Sequence, residues 1–215
     1  ASRLESSALP QATDDWPYPY LKERRIPDQN LRALAALLAA SLVLVLAVRA
    51  PLGRGLDRHF LFLGVGFALV ETTSIARLAA VFGTTWQVHA AVVSGVLVTS
   101  LIGTALAASR PGLRAGPLYL GLAASLALSY MVDASTLLGL PAPAAACALF
   151  LPLFFSGAIF ALGLARCTTP HRVLGSNAVG VLLGIGLESL SVVLGLRGMV
   201  LVVAAAYALS LPRRS

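Results

Sequence analysis

Apolar residues come in long runs along this chain, and polar residues gather in the short gaps between them. The runs fall near 31–49, 59–82, 86–108, 117–140, 144–165, 174–196 and 199–212. Most approach the ~20 residues that a helix needs to cross ~30 Å of hydrocarbon, and the last is short for that distance. No run alternates with period two, as the strands of a membrane barrel do. In lipid only helices or a closed barrel satisfy the backbone, so the pattern predicts helices. The expected fold is all-α: a polytopic transmembrane bundle of about seven spans over residues 31–215. A polar segment rich in Pro and aromatic residues, 1–30, precedes it.

The connectors agree with this reading. Pro51, Gly53 and Gly55 follow the first run, Gly83–Thr85 makes a tight turn, and Pro141 and Pro143 separate the fourth run from the fifth. Arginine is concentrated after the first, third and fifth runs and in the tail Arg213–Arg214. The positive-inside rule places those connectors in the cytoplasm. Lys22, Arg24, Arg25 and Arg32 then lie on the opposite side and vote the other way. In the polar segment, Trp16, Tyr18 and Tyr20 alternate with proline, which suits an extended path and an aromatic belt at headgroup level.

Charged residues make up only 12% of the chain, about half the usual share of a soluble domain. Mean hydropathy is +0.85. The net charge of +7 sits between apolar runs, where it marks topology and headgroup contacts rather than nucleic-acid binding. Cys147 and Cys167 read as free thiols, too far apart along a helix to bridge. The first residue is Ala1 rather than Met, and no signal-type apolar stretch comes before it. The expectation is a piece or a processed form of a longer product.

Candidate chemistry lies inside the runs. Glu71 stands near the middle of Arg58–Phe82, where a bare charge costs ~2.5–3.5 kcal/mol on insertion scales. In the fourth run Gly121, Ser125, Ser129 and Asp133 follow at i,i+4, and in the sixth Ser176, Gly180, Gly184 and Glu188 do the same. Gly64 and Ala68 form a similar stripe beside Glu71. Small residues at this spacing let helix backbones approach closely, so each acid is expected to face the bundle. The candidate basic or polar partners are Arg77, His89 and Asn177. Glu71 and Arg77 are about 120° apart around one helix and do not suit each other. Two readings stay open: acids bonded across helices to fix register, which is preferred, or acids lining a proton or substrate path. No metal-ligand spacing, phosphate-binding glycine loop or nucleophile motif is present, and no cofactor is expected.

Three stretches, Ala12–Pro27, Gly64–Ala90 and Gly175–Arg197, carry a resemblance. Its most specific part is Phe67, Glu71 and Thr72 followed by Phe82, Gly83, Thr85 and Trp86. The chain resembles the C-terminal membrane region of bacterial multi-pass spermidine synthase-like proteins. In that family, membrane spans flank a Rossmann-type aminopropyltransferase-like domain. Thr73 stands where the family usually has Lys, and the family usually has Asn near the position of His89. No residue here matches the family's catalytic domain, so no catalytic or cofactor role is carried over. The resemblance implies a non-catalytic module of the bacterial inner membrane, acting as anchor, scaffold or accessory subunit. Its partners would be the lipid bilayer and either other membrane subunits or a soluble domain. The alternative is a carrier or channel for a small cation, a polyamine or a proton, using the intramembrane carboxylates. A membrane enzyme acting through these acids is a third class, but a carboxylate alone specifies no reaction.

Overall fold

The computed structural model describes residues 15–18, 24–52, 55–83, 85–110 and 112–212. Tyr20, Lys22, Gly53, Arg213 and Arg214 lie outside the described residues. Among those described, every regular element is helical. Eight α-helices follow in order: α1 Asp28–Leu52, α2 Arg58–Phe82, α3 Trp86–Ser109, α4 Ala115–Met131, α5 Ala134–Leu138, α6 Ala142–Ala165, α7 Pro170–Leu187 and α8 Ser191–Ser210. A 3-10 turn, Glu188–Leu190, joins α7 to α8. Four of the described stretches are long and apolar enough to cross a membrane: Arg58–Phe82, His89–Ser109, Pro143–Ala165 and Pro170–Ser210.

The surface is apolar and part of the interior is polar. Val43, Leu101, Leu120 and Leu201 are exposed, whereas Arg77, Ser125, Ser129, Ser156 and Ser176 are buried. This inverts the pattern of a protein dissolved in water and suits one dissolved in lipid.

Helix α2 is the hub and packs against α3, α6, α7 and α8. Its tightest neighbour is α7, which runs parallel to it. A Cβ at Gly180 would run into the Leu61 carbonyl, and one at Gly64 into the Asn177 carbonyl. A Cβ at Gly184 would lie 2.8 Å from both the Val65 carbonyl and the Ala68 methyl. The small residues of the two helices therefore face each other, and backbone rests on backbone. Hydrogen bonds close one end of the seam: Asp57 N–H donates to Ser176 Oγ at 2.8 Å, and Arg172 Nε to the Gly55 carbonyl at 2.7 Å.

On the other flank α8 runs antiparallel to α2. Gly66 makes room for the Tyr207 ring, and the Tyr207 hydroxyl donates to Ser156 Oγ at 2.9 Å. Helices α3 and α6 form a second close pair. Gly103 meets the Phe154 carbonyl, and a Cβ at Gly157 would lie 2.7 Å from the Ser100 carbonyl. Pro152 stands inside α6, and Ser74 donates to the nearby Leu149 carbonyl at 3.3 Å.

Three element boundaries differ from the hydropathy reading. The fourth run, 117–140, is two helices, since α4 stops at Met131 and Val132 is extended with φ −80° and ψ 119°. The sixth run, 174–196, begins at Pro170, which stands in the first turn of α7, and α7 ends at Leu187. The stretch Pro170–Ser210 does not continue straight but folds back between Glu188 and Gly195. Gly195 has φ 75° and ψ 170°, a backbone region open essentially to glycine alone. The last helix thus starts close to Leu196, three residues before the expected 199.

The seam between α2 and α7 yields a stability test. Gly180→Leu and Gly184→Leu will each cost about 3 kcal/mol, because backbone atoms cannot yield as side chains do. Ala178→Leu, at an exposed position on the same helix, will stay within about 0.5 kcal/mol. Thermal or denaturant unfolding in detergent micelles measures both.

Candidate functional site

A cluster of polar side chains forms where α2 and α4 end and α8 begins. It starts with Arg77, buried in the last third of α2. A guanidinium in such a place is tolerated only if its N–H groups are satisfied. Arg77 Nη1 donates to the Ser129 carbonyl at 2.6 Å and to Ser129 Oγ at 3.0 Å, and Nη2 donates to the Val132 carbonyl at 3.5 Å. These carbonyls are free because the end of a helix leaves its last acceptors without partners. A cation at that end is also favoured by the helix dipole. Arg77 therefore closes α4, and the break at Val132 follows from this contact.

The next residue, Asp133, forms an ion pair with Arg197, with both side chains about half exposed. Arg197 lies in the turn that Gly195 opens, and Asp15 fills that turn. The Asp15 carbonyl accepts from the Leu196 N–H at 2.8 Å, and its carboxylate accepts from the Arg197 N–H at 2.8 Å. Asp15 thereby caps the helical segment that starts at Leu196.

Beside Asp15, Trp16 is 1% exposed. Its indole Nε1 donates to the Val192 carbonyl at 2.7 Å. Tyr18 and Ser191 share a hydroxyl–hydroxyl bond of 2.7 Å, and the Arg24 guanidinium lies 5.6 Å from the centre of the Trp16 ring. The expected aromatic belt is thus corrected at Trp16, which is a plug in the α7–α8 turn rather than a headgroup contact. The physical reason is the unsatisfied Val192 carbonyl at a break in helix, which takes up the indole N–H.

The cluster binds helix ends together and leaves little room. The void lined by Ser74, Arg77, Ser129 and Pro152 is about 10 Å³, enough for one water at most. The void beside Arg77 is too small for a substrate.

The candidate residues read from the sequence do not converge. Asp133 is partnered by Arg197 rather than by Arg77, His89 or Asn177. Glu71 and Glu188 are half-buried on neighbouring parts of α2 and the α7–α8 turn, and neither carboxylate forms a hydrogen bond or ion pair with any described residue. This corrects the expectation that all three acids are bonded across helices. Asn177 is half-buried, and its carbonyl rests on Gly64. His89 is exposed and stands apart from the cluster. Of the packing residues, Gly64, Ala68, Gly180 and Gly184 make the α2–α7 seam, and Gly121 accommodates the Phe155 ring of α6. Ser125 and Ser129 are buried on α4.

Sequence reasoning missed Asp15, Trp16, Gly195 and Arg197 as a unit, and it missed the seam at Gly103 and Gly157. It also missed a second polar cluster at the opposite end of the bundle. There the Tyr119 hydroxyl bonds with Ser210 Oγ at 2.8 Å, and His59 Nδ1 donates to the Ser210 carbonyl. Glycines eight or more apart on one helix were a usable signal for the α3–α6 seam. Among the described residues, no group of three or more His, Cys, Asp or Glu is placed to hold a metal ion. No family model, curated protein or solved structure matches this chain.

Substitutions in the cluster will rank by burial. Trp16→Ala will cost about 3 kcal/mol or more through the cavity it leaves. Arg77→Ala will cost about 2 kcal/mol or more, since it orphans buried acceptors. Arg197→Gln, which breaks a half-exposed ion pair, will cost about 1 kcal/mol or less. Unfolding in detergent gives all three.

Proposed function

We propose that this chain is a non-catalytic, seven-span module of the bacterial inner membrane that acts as an anchor, scaffold or accessory subunit. The observation that carries this reading is the Arg77 cluster. Its guanidinium is used to close α4, and the void it lines is about 10 Å³. A carrier needs polar groups facing a path, whereas here they face helix ends. The seven spans are α1, α2, α3, α4, α6, α7 and α8, with α5 a short cap after α4. The resemblance to spermidine synthase-like membrane proteins supports the same role, as the membrane part beside a soluble enzyme domain.

The distribution of arginine supports an orientation. One end of the bundle carries Arg58, Arg110, Arg114, Arg166 and Arg172. At the other end Arg24 is engaged by Trp16, Arg25 by Asp28 and Arg197 by Asp133. The Arg-rich end belongs in the cytoplasm, with Trp16 and the α7–α8 turn outside. In a cysteine-free background, Gly139→Cys will react with an impermeant maleimide in intact spheroplasts, and Gly112→Cys will react only after lysis. The reverse pattern overturns the orientation.

One observation favours a cation carrier instead: the Glu71 and Glu188 carboxylates are half-buried and bond with no described residue. Glu71→Gln separates the two readings, because Gln keeps the shape but cannot ionise. We expect folded yield unchanged and no loss of proton or polyamine flux in liposomes beyond the protein-free rate. Flux in the wild type that Glu71→Gln abolishes would establish the carrier.

A further inference from the structure

Helices α4 and α8 leave a lateral groove of about 960 Å³ between them. Leu122, Leu126, Val200 and Tyr207 are its buried floor. Leu120 and Leu201, at 73% and 58% exposure, are its rims. The Tyr207 hydroxyl is turned away to Ser156, so the floor presents carbon alone at that point. The groove follows α4 from Gly116 to Met131, which at 1.5 Å per residue is ~25 Å, most of the depth of the hydrocarbon layer.

Its two ends differ in charge. Among the described residues, Arg58 and Arg114 are exposed at the Gly116–Leu211 end, and Arg166 donates to the neighbouring Leu113 carbonyl. Arg114 directly precedes α4, and Arg58 donates to the Leu211 carbonyl at 3.1 Å. At the Tyr130–Met131 end the neighbouring cation, Arg197, is already paired with Asp133. The groove is therefore apolar along its length and cationic at one mouth.

We propose that this groove holds an anionic phospholipid of the surrounding bilayer, with an acyl chain along α4 and α8 and its phosphate at Arg58 and Arg114. The match is in the distribution of charge: a lipid is apolar along its length and charged at one end, as the groove is. An empty groove of this size would leave its lining without contacts, and acyl chains are the solvent at hand. Basic sites between helices on the cytoplasmic side are suited to anionic headgroups. A transmembrane helix from another protein would fill the same space without requiring charge at either mouth. The inference rests on the membrane-embedded reading above and adds a bound ligand to it.

The test uses the full chain in nanodiscs containing equal amounts of phosphatidylglycerol and phosphatidylcholine. Retained lipid is counted by native mass spectrometry after mild detergent release. The wild type will retain phosphatidylglycerol in preference to phosphatidylcholine. Arg114→Gln and Arg58→Gln will each lower that preference about five-fold, and Arg58→Lys will keep most of it. Ala204→Phe, which fills the groove, will lower retention of both lipids. Unchanged circular dichroism in each variant shows that the fold is kept. Equal retention of the two lipids by the wild type, or retention indifferent to Arg114→Gln and Ala204→Phe, overturns the proposal. So does a cross-link from position 204 to a second copy or another protein in place of lipid. Failure to float with vesicles would overturn the membrane reading as well, whereas flotation without lipid preference overturns this proposal alone.

Discussion

The close approach of α2 to α7 is the constraint on which the rest of the bundle depends. Lipid tails are as apolar as leucine, so helices in a membrane gain little by hiding side chains from their surroundings. They gain by contact, and contact is greatest where no side chain intervenes. Gly64, Gly180 and Gly184 remove the side chains along one seam, and the carbonyls of Leu61, Val65 and Asn177 fill the space. With α7 fixed against one flank of α2, α8 has to return along another, and the turn between them is set. That turn then receives Asp15 and Trp16.

A second constraint is the backbone itself. Every helix end inside or near the hydrocarbon exposes donors or acceptors that water does not reach. This chain meets the need with side chains from distant elements. Arg77 of α2 takes the last acceptors of α4, Ser74 bonds α6 near Pro152, and Asp15 caps the restarted α8. The polar residues of the interior are in this sense parts of the helices they close. That is why they are scattered among several elements rather than gathered along one path.

Much of this architecture was legible beforehand, and the reasons are physical. Long apolar runs can only be helices in lipid, and a stripe such as Gly180–Gly184 can only be a contact face if it is not to be wasted. The seam glycines were visible for that reason. The break at Val132 was not, since hydropathy carries no information about a helix end inside an apolar run. Trp16 was misplaced because the alternation of aromatic residues and proline is the same for a belt and for a plug. Its partner, Val192, is 176 residues away, and no local pattern reports such a distance. Glu71 is half-buried on α2, and a wheel diagram names a face and not a partner.

The position of Trp16 bears on how such a chain is made. Trp16 is synthesised 176 residues before its acceptor Val192, and Asp15 and Tyr18 likewise precede their partners Leu196, Arg197 and Ser191. The plug seats in the α7–α8 turn only once that hairpin has formed. Closure of the bundle is thus a checkpoint on completeness. A product halted before Ser191 has every helix up to α7 but lacks the turn that Asp15 and Trp16 close, an available mark for the proteases that survey the membrane.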